Sequence, residues 1–167
     1  MTCQGMRYDE VVTEWLNDKQ QRTWREFLQV KSRLDVELNR QLQECNDLSQ
    51  SDYAVLVELN EAPEGRLRPV ELGAVLAWEQ SRLSHHLSRM VKRGLVVREE
   101  CTSDRRGAYV VLTPAGKQAI DTAAPSHVAR VRELFFDGLT DREAQSLASV
   151  MSKVLARLDD LQAGQQT

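Results

Sequence analysis

The chain has 167 residues, of which 41% are apolar and 28% are charged, and its formal net charge is −3. This length suits one domain with a substantial buried core, and an acidic chain is not one that coats nucleic acid indiscriminately. No apolar run reaches the ~18 residues of a membrane span, and the amino terminus lacks the apolar centre of a signal peptide, so we expect a cytosolic protein without a membrane partner.

The charge is distributed unevenly along the chain. Residues 64–107 contain nine Lys or Arg and six Asp or Glu, a local net charge of +3, which leaves −6 for the remainder. A locally basic segment on an acidic body is typical of a sequence-specific DNA-binding protein, although an ordinary fluctuation of charge along the chain would give the same count.

The three cysteines have neither the even count of a disulfide framework nor the spacing of zinc ligands. Reduced thiols are therefore the simplest interpretation of Cys3, Cys45 and Cys101. A redox-sensing role stays open for Cys45 and Cys101. Cys101 is the stronger candidate because the nearby Arg105 and Arg106 would favour its reactive thiolate form.

A long helix is predicted from Glu10 to about Cys45, after a loose arm at residues 1–9. A polar run at residues 17–22 suggests a break that divides this helix in two. A helix with so long an apolar stripe needs a partner surface. The apolar positions are Val11, Val12, Trp15, Leu16, Trp24, Phe27, Leu28, Leu34, Leu38 and Leu42.

The next helix is predicted over 48–62. Ser49 and Asp52 have the spacing of a capping box at its start, and the run Pro63, Glu64, Gly65 ends it. The residues available for the core are Tyr53, Leu56, Val57 and Leu59. Arg66 and Arg68 follow the break and are interpreted as solvated positions that could also touch phosphate.

Two shorter helical patterns come next. The first begins at Pro69, whose fixed φ and missing N–H suit the first turn of a helix. Its predicted inward positions are Val70, Leu72, Val75 and Leu76. The second carries one apolar stripe, since Leu83, Leu87, Met90 and Val91 fall at i, i+4, i+7 and i+8. This helix is expected to end near Arg93, because Gly94 follows and glycine commonly terminates helices.

The opposite face of the second helix and its first turn are polar, and most of their side chains can donate hydrogen bonds. These residues are Ser81, Arg82, Ser84, His85, Ser88, Arg89 and Lys92. The functional interpretation is that Arg82 and Arg89 bind guanine or phosphate, that Ser81, Ser84 and His85 reach a base edge or phosphate, and that Lys92 meets phosphate. The alternative is a solvated helix face.

Adjacent histidines raise a metal hypothesis for His85 and His86. Successive helical residues point about 100° apart, and neither histidine has a carboxylate or a Cys four residues later. We therefore predict no metal and no cofactor, and we expect His86, at the flank of the polar face, to pack against the protein.

A hairpin with a long loop is predicted next. The segments 95–98 and 108–112 are rich in Val, Leu and Tyr, and the polar loop 101–107 between them ends in glycine. An Arg pair on such a loop, Arg105 and Arg106, can enter the electronegative minor groove, while Asp104 can hold one guanidinium by a bidentate pair. A helix for the major groove and a loop for the minor groove are both elements of a DNA clamp.

The runs GLVVREE and SDRRGAYVVLTPAG resemble the wing of the MarR family of bacterial transcriptional regulators, in which an Asp-x-Arg motif precedes an apolar strand and Leu-Thr-x-x-Gly. The corresponding residues are Asp104, Arg105 and Arg106, then Leu112, Thr113 and Gly116. Upstream, LSQSDYAVLVELNEAP and PVELGAVLAWEQSRLSHHLSRMVKRG are similar to the second, third and fourth helices of the family. The resemblance spans roughly Trp24 to Leu158 and implies a DNA-binding regulator that dimerises through its terminal helices.

The chain returns to helix at Pro114 and is predicted to stay helical towards Phe136, with a kink or interruption at Pro125. Gly138 should end this helix, and Thr140 with Glu143 forms a second capping box. The last helix has an apolar stripe wide enough to require burial, made of Leu147, Val150, Met151, Val154, Leu155, Leu158 and Leu161.

The predicted fold class is mainly α (α+β), a winged helix-turn-helix with a helical dimerisation layer. Residues 1–47 and 114–167 supply that layer, and residues 48–113 form the DNA-binding lobe. Core packing is the preferred assignment for Trp15, Trp24 and Tyr53, although a ligand pocket lined by them stays open.

The predicted function is a homodimeric regulator, expected to be a repressor, that binds double-stranded DNA at an inverted-repeat operator and responds to a small-molecule effector. Two alternatives are a winged helix used for protein contact, which the Arg-rich face disfavours, and an enzyme, which the lack of a catalytic constellation disfavours.

Overall fold

The structure is a computed structural model that describes residues 14–100 and 108–164. The chain divides into two compact units, residues 1–35 and 36–167. Within the described residues, no helix combines the length and the apolar character needed to cross a bilayer. The elements are, in chain order, α1 (Asp18–Asn46), α2 (Gln50–Glu61), β1 (Arg66–Leu67), α3 (Pro69–Leu76), α4 (Gln80–Lys92), β2 (Val96–Glu100), β3 (Ala108–Leu112), α5 (Pro114–Val131) and α6 (Asp141–Gly164).

The start of α1 differs from the prediction. The polar run at 17–22 does not break the helix, because α1 is continuous from Asp18 to Asn46. Asn17 instead caps it: the Gln20 N–H donates to the Asn17 carboxamide oxygen at 2.9 Å, and the Asn17 N–H donates to the Gln20 side chain at 3.0 Å. Polar side chains satisfy the free N–H groups of a first turn, so the run marks a helix start. Residues 14–17 are not helical, so the prediction of helix there was wrong, and residues 10–13 lie outside the described residues.

In the first unit, Trp24 and Phe27 stack with ring centroids 5.5 Å apart. Trp15 is 85% exposed and Trp24 is 52% exposed, so the prediction that both belong to the core was wrong for the single chain. An apolar stripe shows which side of a helix favours burial, but not what buries it. Here Trp15 and Trp24 remain exposed.

The core of the second unit lies where α2, α3, α4, α5, the end of α1 and the small sheet meet. It is built from Leu42, Leu48, Val55, Leu56, Leu59, Leu72, Leu83, Leu87, Met90, Leu95, Val96, Val110, Ile120 and Ala123. The α4 stripe is confirmed at three of its four positions, while Val91 is 37% exposed at its edge. Tyr53 packs partly buried against the core, as predicted.

Helix α3 buries a narrower face than predicted. Leu72 is fully buried and Leu76 partly, but Val70 and Val75 are exposed, so their inward assignment was wrong. The helix has only eight residues. An apolar pattern in so short a helix does not determine which of its apolar residues face the core. The packing of α3 against α4 determines which of them are buried.

The sheet has three antiparallel strands in the order β1-β3-β2. The predicted hairpin is confirmed, with Val96 opposite Leu112 and Glu100 opposite Ala108. Strand β1 was missed because it is only two residues long; it pairs Arg66 with Val111 and Leu67 with Val110. The positive φ of Glu64 and Gly65 turns the chain from α2 into this strand.

Two later expectations met different outcomes. The capping box at the start of α6 is confirmed, since the Thr140 N–H donates to Glu143 at 2.9 Å.

The expected kink or interruption at Pro125 is not found, because α5 continues through this residue to Val131 and a wider helical turn follows at residues 132–136. One missing N–H removes a single hydrogen bond, which the rest of the helix tolerates.

The junction between the wing and α5 depends on Thr113 and Gly116. The Thr113 hydroxyl donates towards the carbonyls of Gly94, at 2.7 Å, and Leu95, at 3.0 Å, and it accepts the Gly116 N–H at 2.9 Å. A Cβ on Gly116 would overlap the Leu95 carbonyl and approach Leu112 Cδ1 to 2.8 Å. The end of α4, the end of β3 and the start of α5 therefore meet where only glycine fits.

We expect Gly116→Ala to lower the free energy of unfolding by about 1–3 kcal/mol, because the added methyl must displace backbone rather than a flexible side chain. Gly138→Ala is the matched control, since nothing lies within 4 Å of a Cβ built there, and it should stay within about 0.5 kcal/mol of the parent. Urea denaturation measures both variants. Equal effects at the two glycines would contradict this account of the junction.

Candidate nucleic-acid interface

The outward face of α4 is the centre of the site predicted from sequence. Ser81, Arg82, Ser84, His85, Arg89 and Lys92 are all exposed. The buried stripe on the other side of the helix fixes this orientation. Asp104, Arg105 and Arg106, the predicted wing residues, lie outside the described residues, and so does Cys101.

Two of the arginines on this face contact neighbouring side chains. The Arg82 guanidinium lies over the ring of Trp78, 4.3 Å from its centroid, an arrangement that favours a cation. Arg89 Nη2 lies 3.0 Å from Nδ1 of His86. Their guanidinium groups are therefore held near the surface of α4. Trp78 lies in the turn before α4. The sequence analysis did not predict its contact with Arg82, because the sequence shows only an aromatic residue between two helices.

Lys92 and His85 differ from the arginines. Within the described part of the chain, neither makes a side-chain hydrogen bond or an ion pair. Ser84 contributes its backbone carbonyl, which accepts the Ser88 hydroxyl at 2.8 Å and Arg98 Nη2 at 3.3 Å. The bond from Arg98 joins β2 of the wing to the middle of α4, so the two predicted DNA-contacting elements are in contact.

Arg66 and Arg68 both lie beside Tyr109 of β3. Their guanidinium carbons are 5.0 Å and 5.5 Å from the centroid of its ring. Arg66 also pairs with Glu64. These two residues were interpreted as solvated, and the aromatic partner is a feature that the sequence alone did not indicate.

A buried carboxylate, that of Asp52, contacts α4 on the side opposite its exposed face. Asp52 is 5% exposed, in the first turn of α2, where its side chain accepts the Ser49 N–H at 2.9 Å and the Ser49 hydroxyl accepts the Asp52 N–H at 3.0 Å. This is the predicted capping box. Its further partners are on α4 and at its end: Arg93 Nη1 lies 2.8 Å from Oδ2, and His86 Nε2 lies 3.1 Å from Oδ1.

The pKa of Asp52 reflects these partners. Burial by itself raises the pKa of this carboxyl, but the contacts with His86 and with the backbone and hydroxyl of Ser49 outweigh burial and hold the pKa well below its ordinary value of 3.8. A buried carboxylate without partners would be neutralised instead. Asp52 is therefore ionised at neutral pH, and its charge is matched by the guanidinium of Arg93.

Arg93 extends the link to the turn after α1. Its Nη2 donates to the backbone carbonyl of Asp47 and lies 3.4 Å from the Asp47 carboxylate. A cavity of about 420 Å³ opens beside this group and is also lined by His86, Arg89 and Ser51. Helix α2, the turn between α1 and α2, and helix α4 are thus joined by one polar cluster.

His86 belongs to this cluster, as expected for a residue that packs against the protein. Its side chain is 7% exposed, and its ring meets Trp78 edge-on, with centroids 5.4 Å apart. Nε2 lies 3.1 Å from Asp52 Oδ1 but makes no regular hydrogen bond to it.

The fold and this surface define a class of protein: a winged helix-turn-helix with a basic, exposed recognition helix. The family model of the MarR family matches residues 46–107. AbsC, a MarR family transcriptional regulator from Streptomyces coelicolor, is 38% identical with a TM-score of 0.83, and the match covers 89% of this chain and 99% of AbsC.

Two further structures contain DNA. Sco3205, a MarR family transcriptional regulator from Streptomyces coelicolor solved in complex with DNA, is 39% identical with a TM-score of 0.82, over 86% of this chain and 94% of that one. A variant of MarR from E. coli complexed with operator DNA is 29% identical with a TM-score of 0.73, over 80% of this chain and 94% of that one. The chain belongs to the MarR family: it is a DNA-binding transcription regulator and not an enzyme.

We expect the stability of the protein to fall in acid partly through Asp52. Because its pKa is lower in the folded state than in the unfolded state, the contribution is complete above the unfolded pKa of about 3.9 and is lost as pH falls through the folded pKa. Asp52→Asn should cost about 1–3 kcal/mol at pH 7 and should flatten the decline of stability below pH ~4. Urea denaturation across pH measures both effects.

Asp121→Asn is the control for this experiment. Asp121 is an exposed carboxylate paired with Lys117 one turn away, so its removal should change stability by less than about 1 kcal/mol and leave the acid decline in place. If Asp52→Asn retained the acid decline of the parent, Asp52 would not be its source.

Proposed function

We propose that this protein acts as a homodimeric repressor that binds an inverted-repeat DNA operator with the α4 helices of its two protomers in successive major grooves. The observation that carries the proposal is the exposed face of α4, where Arg82, Arg89 and Lys92 lie opposite the buried residues Leu83, Leu87 and Met90. The relatives solved with DNA support the same use of this chain.

Within this proposal the residues of α4 have different roles. Arg82 and Arg89 bind base edges, because a guanidinium can donate two parallel hydrogen bonds to guanine. Ser81, Ser84 and His85 contact base edges or phosphate from the start and middle of the helix. Lys92, at the C-terminal end, meets phosphate, since an ammonium group is a point charge without the fork geometry that distinguishes bases.

The wing has a separate role in the proposal. Arg105 and Arg106 enter the minor groove, and Asp104 holds one of their guanidinium groups. Contacts in the minor groove depend on groove width and charge more than on base identity, so this loop supplies affinity rather than sequence choice. The bond between Arg98 of β2 and the Ser84 carbonyl of α4 supports a fixed spacing between the two contacts.

The dimer is proposed from the apolar surface that the single chain leaves uncovered. On α6, Val150, Val154, Leu155, Leu158 and Leu161 are between 50% and 59% exposed. Contiguous apolar surface of this kind marks an interaction site in a water-soluble protein. We assign it to the interface, together with the exposed apolar side chains of the first unit, so that residues 1–47 and 114–167 form the dimerisation layer.

Symmetry then determines the form of the operator. A two-fold dimer presents two identical helices on one face, so the half-sites form an inverted repeat about one helical turn, roughly 34 Å, apart. Occupying such a site excludes other proteins from the same DNA, which is the basis for proposing repression.

The response to a small-molecule effector is the remaining part of the proposal. The cavity beside Arg93 and Arg89 supports it, because a ligand there would contact the end of α4 and the turn between α1 and α2 together. Trp15, Trp24 and Tyr53, the alternative pocket residues, do not line this cavity.

Binding-site selection on two variants tests the roles on α4. Arg82→Ala should relax the preference at one base pair in each half-site, by the ~1–3 kcal/mol of a lost arginine–guanine pair. Lys92→Ala should lower affinity evenly for all sequences and reduce the salt slope by about one unit per contact. If Arg82→Ala kept the full motif while Lys92→Ala changed it, the two roles would be wrong.

The dimer is tested by replacing Leu155 and Leu158 together with Glu. Placing charges in an apolar interface should dissociate the dimer, and light scattering should report the mass of a single chain of 19.0 kDa. Ser149→Glu with Ala156→Glu is the matched control, because both residues are exposed on the opposite side of α6. A dimer mass that survives the Leu155 and Leu158 changes would reject this interface.

A further inference from the structure

His86 contacts a charged residue through each ring nitrogen. On one side Nδ1 lies 3.0 Å from Arg89 Nη2, and on the other Nε2 lies 3.1 Å from Asp52 Oδ1. A guanidinium has only donors, so Nδ1 can receive this bond only when it carries no proton. The ring proton then belongs to Nε2, which faces the ionised carboxylate. In a neutral ring, these partners therefore favour the tautomer of His86 that carries its proton on Nε2.

The ring cannot exchange its two nitrogens at low cost. A flip about χ2 would take Nδ1 away from Arg89 and turn the protonated nitrogen away from Asp52. Trp78 packs edge-on against the ring, with an interplanar angle of 87°, and the side chain is buried. Asp52 is itself fixed by Ser49 and Arg93. The orientation of the imidazole is thus determined by residues of α2 and of the turn before α4.

We propose that His86 is a positioning residue for Arg89 and thereby determines which base pair this arginine selects. The proposal rests on the function assigned above, in which Arg89 faces DNA. A bidentate contact with guanine requires a defined guanidinium plane, and a long side chain on an exposed helix face loses much of its rotamer freedom when it binds. By accepting one N–H of Arg89, His86 restricts that freedom before DNA arrives and leaves the remaining donors free.

The chemistry of the two ring nitrogens provides a matched pair of variants. In His86→Asn, the amide oxygen can occupy the place of Nδ1 and accept from Arg89, while nothing reaches Asp52. In His86→Gln, the longer amide can donate to Asp52 from the place of Nε2, while the acceptor beside Arg89 is lost. If His86 only stabilised the fold, its contact with Asp52 would be the important one. If His86 positions Arg89, the contact between Nδ1 and Arg89 is the important one.

The experiment measures affinity for the selected operator and for each of its single-base variants at fixed salt, for the parent protein, His86→Asn, His86→Gln and Arg89→Ala. We expect Arg89→Ala to lose discrimination at one base pair per half-site. His86→Gln should lose about tenfold in discrimination at the same position, a typical value for one specific contact, with little change in binding to non-specific DNA. His86→Asn should retain discrimination even though its folded state is less stable.

Each other outcome contradicts a defined step. Discrimination kept by His86→Gln, or lost equally in both His86 variants, overturns the positioning role. An Arg89→Ala variant with the full parent motif overturns it too, since Arg89 would then select no base, while DNA binding itself would stand. A parent protein without sequence-specific binding would instead refute the proposed function.

A measurement on the unsubstituted His86 keeps the test independent of whether its variants fold. The ¹⁵N chemical shifts of labelled histidine identify the protonated ring nitrogen, and His85→Asn with His127→Asn removes the signals of the other two histidines. We expect the ring proton on Nε2 and none on Nδ1, and a shift of the Nδ1 resonance on Arg89→Ala. A proton on Nδ1 would overturn the proposal, because that nitrogen could not then accept from Arg89.

Discussion

The buried carboxylate of Asp52 is the constraint on which the placement of the recognition helix depends. A charge removed from water must be matched, and here the partners come from three places: Ser49 in the cap of its own helix, His86 within α4 and Arg93 at its end. One carboxylate therefore caps the start of α2 and, together with the buried apolar stripe of α4, fixes how α4 lies against it. Apolar packing alone is less directional and would leave the rotation of α4 less well defined.

The wing is tied to this helix by contacts that tolerate little change. Thr113 bonds to the carbonyls that follow α4, and Gly116 lies too close to Leu95 to carry a side chain. The Leu-Thr-x-x-Gly pattern, which the sequence presents only as a family motif, thus has a structural cause. It sets the distance between α4 and the β2–β3 hairpin.

The face of α4 combines side chains with partners and side chains without them. Arg82 lies on Trp78 and Arg89 contacts His86, whereas Lys92 and His85 have no side-chain partner among the described residues. Arginines held in this way suit the base-selecting role that we propose for them, because that role requires a defined geometry, and an unrestrained ammonium suits the proposed contact with phosphate. The apolar side of α6 is exposed as well, and it is the surface that we propose for the dimer.

The sequence by itself determined the features that depend on neighbours three or four residues apart: the α4 stripe with its polar face, the caps at Ser49 and Thr140, and the end of that helix before Gly94. Only the tertiary structure decided the partners of Asp52, since Arg93 lies 41 residues away along the chain, and the exposure of Val70 and Val75. Periodicity records which side of an element is apolar. Which elements meet is a property of packing, and it alone brought Asp52 of α2 against His86 of α4.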